Sequence, residues 1–179
     1  AAQKEADEKV YALQFASEDV TGIAYEKDGE WLAFTKNDDT WSCETDTAAA
    51  IDSDKMKTML SSLGSMTADS TVESPTDTAQ YGLDAPSMQA VITFSDGSEK
   101  TLTFGSTNAI LGGTYVQISD DDNVYLVGSS YVNTTLNKSV DDLTVDETKD
   151  TTDDAEDTTD NTENSTDNQT DVQSDSTSE

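Results

Sequence analysis

Apolar and polar residues alternate along most of the first 140 positions, and the period changes where one element should give way to another. Val10 to Phe15 alternates well enough for a short strand, with a helical reading also open. Val20, Ile23 and Tyr25, then Lys27-Asp28-Gly29-Glu30, then Trp31, Leu32 and Phe34 predict strand, tight turn and strand. Asp-Gly marks the turn because glycine accepts the positive φ that matches strand twist. Asn37-Asp38-Asp39 turns the chain again into a third strand, Thr40 to Cys43. From Asp52 to Leu63 the period becomes helical, with Met56, Met59, Leu60 and Leu63 on one stripe. Asp52 or Ser53 is placed to cap that helix, and Gly64 stands where a left-handed residue would end it.

The second half opens with a polar stretch, Thr67 to Ala79, that contains Pro75 and reads as a connection. Tyr81-Gly82-Leu83-Asp84-Ala85-Pro86 then reads as a turn-rich anchor: Gly82 allows a tight turn, Tyr81 and Leu83 enter the core, and Pro86 begins a strand. Met88 to Phe94 is a strand, Ser95 to Ser98 a turn, Thr101 to Phe104 the return strand, and Gly105 to Gly113 a loop. A second hairpin, Thr114 to Ile118 with Val124 to Val127, folds around Asp120-Asp121-Asp122-Asn123. Ser129 or Ser130 is placed to cap a final helix through Tyr131, Val132 and Leu136. The fold class is α+β, built of antiparallel β-meanders each followed by a helix. Ile23-Ala24-Tyr25 before Asp28-Gly29 echoes Ile92-Thr93-Phe94 before Asp96-Gly97, so two similar sheet-plus-helix units, 10–66 and 80–143, are expected.

Several of these strings, in their order and spacing, resemble the domain of unknown function (DUF) 4340 family. They are Asp19-Val20-Thr21-Gly22-Ile23, the Trp-bearing meander and Met/Leu helix, Tyr81 to Pro86, Thr101 to Gly105, Gly113 to Val116, and Val124 to Ser130. The similarity covers roughly 10–143. It implies a bacterial protein held outside the cytoplasmic membrane, in some cases beside ABC-type export or gliding systems, and it supplies no catalytic residues.

Charge sharpens the picture. Nine basic residues, all Lys, oppose 38 acidic ones for a formal net charge of -29, and histidine is absent. Such a field repels nucleic acid and anionic membrane, and no apolar run is long enough to cross a bilayer. The acids accumulate at the end: 144–179 is almost wholly Thr, Asp, Ser, Asn, Glu and Gln, and is expected to be a disordered acidic tail, extended as a wall spacer or merely solubilising. Residues 1–9 read as a polar spacer, and the start at Ala1 fits either a removed export signal or a cut boundary.

Candidate chemistry is sparse. Without His there is no Ser or Cys triad, and Cys43 reads as a small buried or edge thiol. The Asp120–Asn123 cluster offers oxygens for calcium but lacks the glycine and distal Glu of a calcium loop, so a solvated hairpin tip is preferred. Paired carboxylates for glycoside hydrolysis are conceivable only because acids are so abundant. No enzyme activity and no cofactor are expected. Tyr81, Gly82, Leu83, Asp84 and Pro86 are read as a structural motif. Trp31, Trp41 and Tyr115 are the aromatic candidates for a carbohydrate- or peptide-binding surface, with core burial the preferred fate of large rings on sheets. The reading carried forward is an extracytoplasmic domain acting through contact with an envelope protein.

Overall fold

The computed structural model describes residues 9–146. Nine antiparallel strands form one sheet: β1 (Val10–Gln14), β2 (Val20–Lys27), β3 (Glu30–Asn37), β4 (Thr40–Cys43), β5 (Ser65–Val72), β6 (Met88–Phe94), β7 (Glu99–Asn108), β8 (Gly113–Ile118) and β9 (Val124–Gly128). Their order is β1-β5-β9-β8-β7-β6-β2-β3-β4. The helices are α1 (Ser53–Leu63) and the short α2 (Val140–Leu143). The expected α+β character therefore rests on a mostly β molecule.

The two meanders, β2-β3-β4 and β6-β7-β8-β9, meet through their first strands. Ile23 lies opposite Ile92, and Tyr25 opposite Ala90. Continuing the register outward puts Leu32, Tyr25, Ala90, Leu102 and Ile118 in one row across five strands, all on the same face. This inner face is covered by α1, which buries Met56, Met59, Leu60 and Leu63, and by Leu136 and Leu143. Full burial of each such side chain contributes about 1.5–3 kcal/mol, so the stripe is a main source of stability.

The sheet is strongly curled. Phe15, just past β1, meets Phe94 at the end of β6 edge-to-face at 5.4 Å. Those strands are five steps apart in the sheet order, which would separate them by roughly 24 Å if the sheet were flat. The curl also lets one helix carry the chain from β4 at one edge to β5 near the other.

Asp52 caps α1, its carboxylate accepting from the backbone N–H groups of Asp54 and Lys55. Gly64 does not adopt the expected left-handed conformation; its φ is -70°. The helix runs straight into β5, and a Cβ on Gly64 would strike the Phe15 carbonyl oxygen, which makes close approach to β1 the reason for glycine.

Other expectations also need correction. The first part of the polar stretch read as a connection, through Val72, is strand β5, held by β1 on one side and β9 on the other. Its side chains from Asp69 onward are exposed or half-exposed, so it has little apolar alternation to betray it. The loop expected from Gly105 begins only after Asn108, because β7 continues beyond its glycine. The final helix is a single π-helical turn, Tyr131–Thr135, with no side-chain cap, and Ser139 instead builds a capping box with Asp142 at α2. Thr144 bridges Ile51 and the Val145 N–H bonds the Ala50 carbonyl, so the first residues assigned to the tail belong to the fold. The rest of the acidic tail, 147–179, and residues 1–8 of the spacer lie outside the described residues.

Gly64→Ala is expected to lower unfolding free energy in urea by about 1–3 kcal/mol, since backbone rather than a flexible side chain blocks the methyl group. A second prediction concerns Tyr25, fully buried, whose hydroxyl donates to the Lys138 carbonyl at 2.7 Å. Burial first, then the nearby Asp142 and Cys43, raises its pKa well above the ordinary value of 10.0. The folded state thus keeps a proton that the unfolded chain loses, so this contribution is intact below about pH 10 and is lost as pH rises further. Urea titrations from pH 7 to 11.5 should show stability falling at the alkaline end, and Tyr25→Phe should flatten that fall while costing about 1–3 kcal/mol at pH 7.

Candidate interaction surface

The anchor motif finds its seat on an irregularity in β7. Phe104 pairs with Val116 and Thr107 with Thr114, leaving Gly105 and Ser106 together opposite Tyr115 as a β-bulge. Tyr81 and Gly82 dock on this bulge. A Cβ on Gly105 would strike the Tyr81 carbonyl oxygen, and Gly82, at φ 73°, lies against the Ser106 backbone. Ser106 Oγ donates to the Tyr81 carbonyl at 3.0 Å, and Ser87 donates through Oγ to the Phe104 and Gly105 carbonyls. Tyr81 and Leu83 stay half-buried instead of entering the core, Asp84 is exposed, and Pro86 precedes β6 by a residue. What Tyr81 packs on is Tyr115, ring centroids 4.9 Å apart and tilted by 60°.

From Tyr115 the contacts lead to the loop between β7 and β8. The Tyr115 hydroxyl accepts from Asn108 Nδ2 at 2.8 Å. Asn108 Oδ1 accepts the backbone N–H groups of both Ile110 and Leu111 at 3.0 Å. Its carbonyl takes the Gly112 N–H, and the Gly112 carbonyl takes Ser129 Oγ at 3.1 Å, which in turn lies 3.1 Å from Thr114 Oγ1. Ser129, expected as a helix cap, is used here instead. The loop is therefore fastened at its base, yet Ile110 is 93% and Leu111 65% exposed. These two are the most exposed large apolar side chains among the described residues.

Charge is distributed to match. No Asp, Glu or Lys occurs from Thr101 to Ser119 or from Asn123 to Asn137, the segments that supply most of β7 and all of β8 and β9. The acids of the turns lie at the opposite end of these strands, in the β6–β7 turn at Asp96 and the β8–β9 turn at Asp120–Asp122, while Asp84 is exposed on the anchor docked at the bulge. The sequence reading took Ile110 and Leu111 for ordinary loop residues. The signal that would have marked them is the long uncharged run in a chain with 26% charged residues.

The remaining candidates fall in separate places. Trp41 is 5% exposed and belongs to the core, whereas Trp31 is 45% exposed on the outer face beside Glu26. Tyr115 lies on that outer face too, but four strands from Trp31, so the three rings form no common platform. Cys43 is buried on edge strand β4 with its Sγ 3.2 Å from Thr45 Oγ1. At the acidic turn, Asp121 takes the Tyr125 hydroxyl at 2.6 Å on one oxygen and the Asn123 N–H on the other. Burial and that acceptor raise the Tyr125 pKa. Hydrogen bonds from Ser98 hold Asp96 below the ordinary carboxylate range, and those from Ser139 do the same for Asp142. Among the described residues no three carboxylate or thiol groups converge to hold a metal ion. What the neutral end can do chemically is present a fixed apolar projection on an uncharged ground.

No curated protein and no solved structure matches the chain. A family model described as a domain of unknown function (DUF4340) matches it over residues 6–86 and 41–177. The bulge-seated Tyr81–Pro86 anchor and the fused meanders are thus features of a chain that belongs to the DUF4340 family.

Proposed function

We propose that this is a non-enzymatic bacterial domain working outside the cytoplasmic membrane, through contact with another envelope protein, as an accessory to an ABC-type export or envelope assembly. The observation that carries the contact role is the exposure of Ile110 and Leu111 on a hydrogen-bonded loop within an uncharged sector of a chain of net charge -29. Exposed apolar side chains on a fixed loop cost solubility and give the fold nothing, so a contact is the economical reason to keep them. The compartment is inferred from the family resemblance. No helix among the described residues is long and apolar enough to cross a membrane.

The two halves are further read as copies of one unit. Ile23 and Ile92, the echoing residues, are register partners in the β2·β6 pair, where equivalents related by a local two-fold axis fall. The pairs Ala24 with Val91 and Gly22 with Thr93 obey the same relation. A rival role as a carbohydrate- or peptide-binding module draws its support from Trp31, an exposed ring with Glu26 opposite; among the described residues the other exposed ring is Tyr11 on edge strand β1, far from it in the sheet order.

Affinity capture of the tagged chain from envelopes of its own source tests the contact role. The expected outcome is one or more envelope proteins retained by the wild type and reduced at least tenfold with the double variant Ile110→Asp, Leu111→Asp, whose melting temperature stays within a few degrees because both side chains are already in water. Retention of nothing by the wild type, or equal retention by the variant, rejects the proposal.

A further inference from the structure

We infer that the β7–β8 tip is a preformed apolar knob, and that it fits an uncharged pocket on a protein other than this chain. This partner face is the chemical counterpart of the contact role proposed above and stands only if that role does.

The knob is preformed because its backbone is already committed. Asn108 alone satisfies the N–H groups of Ile110, Leu111 and Gly112, and Ser129 holds the Gly112 carbonyl, so little loop entropy remains to be lost on docking. A fixed shape favours a complementary pocket over a fluid surface. The side chains that fasten the loop, Asn108 and Ser129, and the Tyr115 behind Asn108 are polar but neutral.

The partner's face must be neutral for an electrostatic reason. Between Thr101 and Ser119, and between Asn123 and Asn137, there is no carboxylate to receive a cation. The docked anchor brings exposed Asp84 beside the bulge, but the loop itself carries no charge. A Lys or Arg pressed onto Ile110 and Leu111 would therefore be desolvated without an opposite charge from the loop, which is costly, and a carboxylate would fare no better. A cationic partner would be drawn instead to the acid-rich remainder of the chain. Bilayer docking is disfavoured because the loop carries neither the Trp nor the Lys and Arg that hold a protein at headgroups, and the net charge of -29 repels anionic lipid. A second copy is disfavoured as well. Two tips would bury four side chains, far short of the ~800 Å² per partner of a stable interface, while two chains of this charge repel.

The test uses the full chain in its own cells, with the photoreactive residue benzoylphenylalanine placed by Ile110→benzoylphenylalanine, by Leu111→benzoylphenylalanine and, on the outer face, by Trp31→benzoylphenylalanine. Crosslinked species are identified by mass spectrometry and the attached residue is mapped. The expected result is that positions 110 and 111 attach to one protein, at residues lining a pocket free of charged side chains, with yield in opened envelopes changing less than twofold between about 0.05 and 0.5 M NaCl. Adding Asn108→Ala, which frees the loop, should lower that yield about fivefold without unfolding the chain. Attachment to lipid, to a second copy, or to a Lys- or Arg-lined surface with yield collapsing in salt overturns the neutral pocket. The last of these outcomes leaves the contact role standing. An unchanged yield with Asn108→Ala overturns the preformed knob, and absence of protein adducts from all three positions ends both readings.

Discussion

The antiparallel pairing of β2 with β6 is the constraint on which the rest of the structure depends. It joins strands about 70 positions apart in the chain and turns two meanders into one continuous sheet. Because the side chains of a strand alternate strictly, this one register decides which residues of seven strands share the inner face. With Ile23 opposite Ile92 and Tyr25 opposite Ala90, the apolar sets of both meanders fall on the same side and offer α1 a single surface. A slip by one residue would turn one meander's apolar set to water. The curl that brings Phe15 onto Phe94 then closes this surface around the helix, and Tyr25, anchored to the Lys138 carbonyl, fastens the C-terminal segment over it.

The outer side of the sheet is organised by a different economy. There the Tyr81–Pro86 segment has no core to enter, so it settles on the Gly105–Ser106 bulge, where missing side chains allow backbone to approach backbone. Tyr81 on Tyr115, Tyr115 to Asn108, and Asn108 to the Ile110 and Leu111 N–H groups form one chain of contacts. A motif that reads as purely architectural thus reaches the exposed loop through Tyr115 and Asn108. The strand that leaves the apolar loop, β8, ends at Asp120–Asp122, which keeps the acids of that turn a strand's length from Ile110 and Leu111.

Local signals held where the local interaction was strong. Asp28-Gly29 and Asp96-Gly97 specify turns through positive φ, and both are found there, with φ of 83° at Gly29 and 84° at Gly97. The stripe Met56, Met59, Leu60, Leu63 needs only helical geometry to share a face, and all four are buried. Signals failed where a distant neighbour supplied the reason. β5 is polar along much of its length and becomes a strand because β1 and β9 lie on either side to satisfy its backbone. Gly64 was read through the usual chemistry of helix ends, while its actual reason is the Phe15 carbonyl. Tyr81 and Leu83 were expected inside because they are apolar, but both stay half-buried, with Tyr81 held against Tyr115 and the Gly105 bulge.

By itself, then, the sequence determined the tight-turn hairpins, the central helix, the antiparallel β character, the family and the absence of histidine, since each depends on residue type or on neighbours a few positions away. Only the tertiary structure decided that the two meanders fuse into one curled sheet, that an anonymous polar stretch becomes its second strand, and that Ile110 and Leu111 project from an uncharged end. These are outcomes of register and curvature, which arise between segments far apart in the chain and leave no trace in the local periodicity of any one of them.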